Sequence, residues 1–236
     1  MKLVLFDLDH TLLDGDSDVL WCQFLIDQGL LDRDSSGAQN AAMERGYRAG
    51  TVSARAFAGF YVSTMAGRSA AQWQPLITAF VQHRVWPRIS AAARALVREA
   101  LHSQALVVLT TATNSTITAP TAQWLGMQHL IGTDCEVGAD GVLSGRISGE
   151  PNMLAGKVLR LRAWLAARGQ RLQDFESWAY SDSANDLPLL RAVQHAVAVH
   201  PDPRLAAEAA RLGWPVLQLH GSAMQAHGTL KPETPT

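Results

Sequence analysis

Cysteine is scarce. Cys22 and Cys135 are the two in 236 residues, too few for a disulfide framework and too far apart for metal or redox spacing. They read as unpaired structural thiols of a reducing cytoplasm. An excess of charge is also missing: 20 Lys+Arg stand against 21 Asp+Glu, a net charge of -1. No basic field is available to neutralise nucleic-acid phosphates, so nucleic acid is not expected as a partner. A small anionic partner would have to be held by local charges. Long apolar runs are absent as well. The opening Met1-Lys2-Leu3-Val4-Leu5-Phe6 is broken by Asp7 and Asp9 before a secretory core is complete. Between Ser103 and Thr133 there is no Asp, Glu, Lys or Arg, but Thr, Asn, Gln and Pro interrupt the stretch, so no membrane span is expected.

What is present is an alternation. Short apolar runs at 3–8, 105–109, 178–181, 196–199 and 216–219 have the length of buried strands, and helical patterns separate most of them. That rhythm predicts an α/β fold, a doubly wound parallel sheet with helices on both faces. Residues 136–147, with Gly138-Ala139-Asp140-Gly141 between two β-like runs, predict a hairpin projecting from the sheet. Residues 16–86 break the rhythm. They hold amphipathic stretches near 19–28, 41–49, 54–65 and 70–83 and no strand pattern. They predict a helical insertion, with 1–15 and 87–236 as a discontinuous core and 221–236 as a frayed polar tail. Nothing in the pattern sets an oligomeric state.

In an open parallel sheet, ligands collect outside the carboxyl ends of the strands. Asp7-Leu8-Asp9-His10-Thr11 follows the first strand, Thr110-Thr111-Ala112-Thr113-Asn114 the second, and Asp182-Ser183-Ala184-Asn185-Asp186 the strand ending at Ser181; Lys157 starts a helical pattern. Singly these are ordinary: strand-end turn formers, N-caps, a solvated lysine, first-turn acids. Together, carboxylates, hydroxyls and an ammonium make a kit for a cation and a phosphate. Mg²⁺ prefers a few carboxylates plus water and substrate phosphate, and Asp7, Asp182 and the Asp9 carbonyl would supply such a half-shell. The ion and Lys157 would offset repulsion between a carboxylate nucleophile and a phosphate dianion.

At this point the chain resembles the haloacid dehalogenase superfamily. Asp7-Leu8-Asp9-His10-Thr11 is similar to its DxDxT signature, Thr111 to its second-motif hydroxyl, Lys157 to its third-motif lysine, and Asp182 with Asp186 to its DxxxD motif. The likeness runs over residues 2–219 and looks closest to the IB branch, with helices inserted after the first motif like the type-1 cap of phosphoserine-phosphatase-like members. The resemblance implies a cytoplasmic Mg²⁺-dependent phosphatase acting on a small phosphomonoester. Asp7 would be the nucleophile and Asp9 the general acid and base. Thr111 would bond the transferred phosphoryl group, and Lys157 would hold Asp7 and that group. The amides near Leu8 and Ala112 would bind phosphoryl oxygens, Asp182 would ligate the ion, and Asp186 would act through water or Lys157. The second acid of the DxDxT signature, Asp9, sets the phosphatases apart from the dehalogenases.

Asp16 falls where phosphoserine phosphatases carry a carboxylate for the substrate amine; it reads equally as a helix cap. Arg48 reads as a contact for the substrate's remote end or as a solvated helix face. Thr111-Ala112-Thr113 departs from the usual Ser-Gly-Gly, and Asp182-Ser183 from Asp-Gly, which narrows the case for phosphoserine itself. Histidinol phosphate and other amino-alcohol or sugar phosphates stay open. Other classes fit less well. Pro151 and Val158 spoil a phosphate-binding P-loop around Lys157, and neither G-x-G-x-x-G nor G-x-S-x-G occurs where it would be needed. His195 and His200 have no metal-ligand spacing. A phosphoaspartate receiver would be shorter and carry its acceptor after a later strand. A non-catalytic phosphate-ligand sensor would bind phosphorylated metabolites and Mg²⁺ without releasing phosphate.

Overall fold

The structure, a computed structural model, describes residues 1–49 and 51–220. Its strands are β1 (Lys2–Phe6), β2 (Leu106–Asn114), β3 (His129–Val137), β4 (Leu143–Ser148), β5 (Glu176–Ser181), β6 (His195–Val199) and β7 (Val216–Leu217). They form one sheet in the order β4-β3-β2-β1-β5-β6-β7. All pairs are parallel except β3 with β4. The order reverses at β1, which places a crevice beyond its carboxyl end.

Period-two patterning builds the two layers. Leu3 and Leu5 of β1 enter one core with Leu161, Leu165 and Leu205. Val4 and Phe6 enter the other with Trp21, Phe24 and Val97. Leu3, Leu5 and Phe6 are fully buried, each worth about 1.5–3 kcal/mol of transfer free energy. Helices α5 (Ala91–His102) and α6 (Ser115–Trp124) contribute to the second core, and α7 (Ala155–Ala166), α8 (Leu187–Leu190) and α9 (Pro203–Leu212) to the first. The fold is a doubly wound α/β sheet.

Between β1 and α5 lie α1 (Ser17–Asp27), α2 (Arg33–Arg48), α3 (Ala54–Ser63) and α4 (Ala70–Phe80). The two ends of this insertion meet: Leu13 bridges Ile89, and the Asp14 amide donates to the Arg88 carbonyl at 3.1 Å. Trp21 anchors it, with Trp73 and Phe80 edge-on at 5.6 and 5.2 Å. No helix among the described residues is long and apolar enough to cross a membrane.

Several local expectations change; the first strand, expected over 3–8, ends at Phe6. The hairpin expected at 136–147 starts earlier: β3 begins at His129 and lies in the sheet beside β2, so only its far end projects. The second strand does not stop near 109. β2 continues to Asn114 with a register slip after Thr110, so Thr111 and Thr113 are strand residues, and Asn114 caps α6 instead. The last strand ends at Leu217, two residues short. The tail expected at 221–236 lies outside the described residues.

Candidate active site

The chain leaves β1 at Asp7, whose amide still donates to the Tyr180 carbonyl of β5 at 3.0 Å. It then turns sharply. The Leu8 carbonyl accepts the amides of Thr11, Leu12 and Leu13, and His10 takes a left-handed conformation with φ 55°, an arrangement of order 1–3 kcal/mol above the usual regions for a non-glycine residue. The turn brings Asp7, Asp9 and Thr11 to the head of the sheet.

Asp7 is 6% exposed and held at both carboxyl oxygens. Lys157 Nζ lies 2.6 Å from Oδ1, and the Thr11 hydroxyl lies 3.2 Å from Oδ2. That hydroxyl is also 3.0 Å from Asp182 Oδ1, and it accepts the Asp182 amide at 3.0 Å. One side chain therefore touches both carboxylates, and the two oxygens can be no farther apart than its two contacts laid end to end. Asp186 completes the floor: its Oδ2 takes Lys157 Nζ at 2.5 Å and the Ser181 hydroxyl at 2.7 Å.

Lys157 reaches this point because the loop before α7 is pinned. A Cβ on Gly156 would meet the Pro151 carbonyl oxygen at 2.3 Å, so only glycine permits the approach. Asn152, fully buried, directs its side-chain amide at Thr110 Oγ1, the Thr111 carbonyl and the Ile131 carbonyl at 2.9–3.0 Å.

Asp9 has a separate set of partners. Its Oδ1 accepts the Ser17 amide at 2.8 Å, and its Oδ2 accepts the Thr113 hydroxyl at 2.9 Å. The Thr111 hydroxyl is farther, at 3.4 Å, and accepts the Thr113 amide. Thr111 is fully buried. Among the described residues, Ala112 and Thr113 line the cavity above the floor; Leu8 and Thr111 do not.

That cavity measures about 1050 Å³. The core supplies Asp7, Asp9, Lys157, Asp182 and Asp186, and the insertion supplies Asp16, Glu44, Tyr47 and Phe57. Asp16 is the N-cap of α1, accepting the amides of Asp18 and Val19 at 2.9 and 3.0 Å, and it also faces the cavity. Arg48 ends α2 beside Tyr47 and Ala49, both of which line the cavity. The Asn185 side-chain amide donates to the Tyr47 hydroxyl at 2.9 Å and ties the insertion to the loop after β5. Sequence patterns signalled none of the partnerships of Ser17, Thr113, Asn152 or Tyr47; only the DxDxT spacing brought Thr11 to notice.

The electrostatics are those of crowded anions. Burial pushes the Asp7 carboxyl up to about 7, opposed by Lys157 and reinforced by Asp186 and Asp9. Burial also lifts Asp182 well above the usual carboxylate range, with Asp7 and Asp186 adding to it. Asp16 is pushed up to about 7 by burial and by Asp9. Burial works against the Lys157 ammonium, but Asp186 and Asp7 outweigh it and hold the group above the usual lysine range. Lys157→Met is accordingly expected to lose about 3–5 kcal/mol of stability at pH 8, since it leaves two buried carboxyls unpaired. The loss should shrink at pH 6. A carboxyl whose folded pKa rises above its ordinary value of 3.8 makes the folded state bind more protons, so stability grows as pH falls through the folded value. Urea unfolding at the two pH values measures this, and an equal loss at both would remove the charge argument.

The donors suit a hard cation. Asp7 and Asp182 each bring a carboxyl oxygen against the same Thr11 hydroxyl, so a hard cation there would find oxygen ligands. Among the described residues, no three His, Cys, Asp or Glu side chains form a metal cluster, so protein carboxylates alone do not complete a coordination shell.

Comparison with known proteins fits this geometry. Residues 4–191 match the haloacid dehalogenase-like hydrolase family. A histidinol-phosphatase of Neisseria meningitidis is 40% identical over 217 residues, covering 92% of this chain and 98% of that protein. A solved structure of a Bordetella pertussis protein of unknown function is 41% identical with a TM-score of 0.88, over 93% of this chain and 99% of the other. A substrate-bound phosphoserine phosphatase shares the fold, with a TM-score of 0.63 at 18% identity over 88% of this chain and 90% of that one. This chain belongs to the haloacid dehalogenase-like hydrolase family, among its phosphatases.

Proposed function

We propose that this phosphatase hydrolyses a small amino-alcohol phosphomonoester, histidinol phosphate first among them, through an aspartyl-phosphate on Asp7. The observation that carries the reading is the double tenure of Asp7: Lys157 on one carboxyl oxygen, and on the other a hydroxyl shared with Asp182. Asp7, Asp182 and the Asp9 carbonyl would hold Mg²⁺, which supplies charge neutralisation for an incoming phosphate. An Asp7 oxygen forms a bond to phosphorus as the bond to the leaving oxygen breaks, and Asp9 gives that oxygen its proton. Water then attacks the same phosphorus, Asp9 takes its proton, and inorganic phosphate and free Asp7 result. The Ala112 amide, at the cavity wall, is the donor proposed for the phosphoryl oxygens; Thr111 and Leu8, which do not line the cavity, are not proposed as direct donors. Lys157 balances the charge of Asp7, and Asp186 orients Lys157.

The insertion, residues 16–86, serves in this reading as the cap that excludes water from the acyl phosphate. Its face toward the cavity combines the carboxyls of Asp16 and Glu44 with the stacked rings of Tyr47 and Phe57, 4.2 Å apart at 27°. An ammonium and a flat imidazole suit that face. A substrate carboxylate, as in phosphoserine, would meet like charge there. The relative at 40% identity is named a histidinol-phosphatase, which supports the same choice. The free thiols of Cys22 and Cys135 suit a cytoplasmic setting.

Phosphate release measured with Mg²⁺ on histidinol phosphate, phosphoserine and a sugar phosphate tests the proposal. The first is expected to lead in kcat/KM by about tenfold to a hundredfold, the 1.4–2.7 kcal/mol that one or two well-placed polar contacts supply. Comparable values on all three would sink the substrate assignment, and binding without any release would turn the protein into a sensor.

A further inference from the structure

Asp9 is held differently from Asp7, and by groups that no motif singled out. Its two oxygens take donors from two separate elements: the Ser17 amide at the first turn of α1, 2.8 Å from Oδ1, and the Thr113 hydroxyl on β2, 2.9 Å from Oδ2. A carboxyl anchored at both oxygens loses its freedom to rotate. Thr113 is well suited to the task. It is 1% exposed, sits on a strand next to the centre of the sheet, and as a β-branched residue has a stiff χ1. Its single proton is also directed. The Ser17 hydroxyl donates to Thr113 Oγ1 at 2.9 Å, which leaves the Thr113 proton for Asp9. The Asp18 carboxyl, 2% exposed, is a second hydrogen-bond partner of the Thr113 side chain; burial lifts it well above the usual carboxylate range, which makes it a weaker rival for the Thr113 proton. The Thr111 hydroxyl, at 3.4 Å, is at the margin of a hydrogen bond.

We propose that Thr113, oriented by the Ser17 hydroxyl, is the positioning residue that aims the Asp9 carboxyl at the leaving-group oxygen of the substrate. The proposal rests on Asp9 acting as the general acid. Thr113 touches neither substrate nor phosphorus in this scheme; it acts through Asp9. A misaimed acid slows departure of a leaving group that needs a proton and spares one that does not. An alkoxide needs the proton. A nitrophenolate leaves without it.

The experiment compares kcat/KM for an alkyl phosphate, histidinol phosphate, with kcat/KM for p-nitrophenyl phosphate, in the full-length protein with Mg²⁺. Because the phosphoenzyme forms before water enters, kcat/KM reports the step in which the leaving group departs. Thr113→Val keeps the shape and removes the hydroxyl. It is expected to lower the alkyl value by about 10²-fold, the low end of what general acid catalysis contributes, and the aryl value by less than about fivefold. Thr113→Ser restores the hydroxyl and should return both values to within about threefold of wild type. Equal losses on the two substrates, or a Ser variant as poor as the Val variant, would overturn the positioning role and leave a packing role. Ser17→Ala keeps the amide contact and removes only the hydroxyl that orients Thr113; an alkyl-selective loss there supports the proposal even if Thr113→Val fails to fold, and equal effects on both substrates overturn it. Asp9→Asn separates the two readings. It must show the alkyl-selective loss itself, and if it does not, the acid assignment falls first, independently of Thr113.

Discussion

Asp7→Asn is expected to lower phosphate release by about 10⁴-fold or more, the scale seen when a covalent nucleophile is removed, while the protein stays folded. The substitution is isosteric, so β1 and the turn after it keep their shape. An amide oxygen is a poor nucleophile and cannot form the acyl phosphate, so hydrolysis no longer divides into two easier steps. The fold should tolerate the change because Asp7 is not a comfortable carboxylate: burial already pushes it up to about 7. Thr11 can still bond the side chain, and Lys157 keeps Asp186 at 2.5 Å. Phosphate release in a single turnover, with intact-protein mass to look for the phosphorylated enzyme, provides the check. The wild type should show a transient phosphoprotein and the variant none. Release at a near-normal rate from Asp7→Asn would reject the nucleophile.

Removal of divalent ions is expected to stop turnover, and Mg²⁺ to restore it. At the floor of the cavity the one ammonium, Lys157, is shared by Asp7 and Asp186, and the Asp182 carboxyl stands one Thr11 hydroxyl away from Asp7. A phosphate dianion entering that space adds to an existing negative excess, and like charges a few ångströms apart repel strongly where water is scarce. A second, activity-independent readout follows from linkage. An ion that binds only the folded chain raises its stability by about 2.7 kcal/mol at a hundred times its dissociation constant. Mg²⁺ should therefore raise the melting temperature of the wild type, and Asp182→Asn should abolish the rise. Full activity in a metal-free assay, or an unchanged melting curve at saturating Mg²⁺, would overturn the ion site.

Much of this arrangement was legible before any coordinates. Apolar runs of strand length alternating with helical patterns foretold the doubly wound sheet, because a strand buried on both faces must be apolar throughout. The gap in that rhythm between β1 and β2 pointed to helices, and α1 to α4 lie there. Acids, hydroxyls and a lysine at strand ends pointed to the head of the sheet, and Asp7, Asp9, Lys157, Asp182 and Asp186 line one cavity there. What patterns missed is equally physical. β3 begins with His129-Leu130-Ile131-Gly132, too short an apolar run to separate from a loop, and it is a strand because β2 lies beside it. Thr111 and Thr113 look alike in sequence. Thr113 lines the cavity and Thr111, fully buried, does not, a difference that only the folded chain displays.

The sequence by itself determined which chemical groups are available and at which strand ends they stand, because hydrophobic period and motif spacing are local. Only the tertiary structure decided their partnerships: that one Thr11 hydroxyl joins nearby Asp7 to Asp182, which lies 171 positions beyond Thr11 in the chain, and that Asp9 answers to Ser17 and Thr113. Hydrogen bonds form over about 3 Å of space, and a separation in sequence carries no information on that scale until the chain has folded.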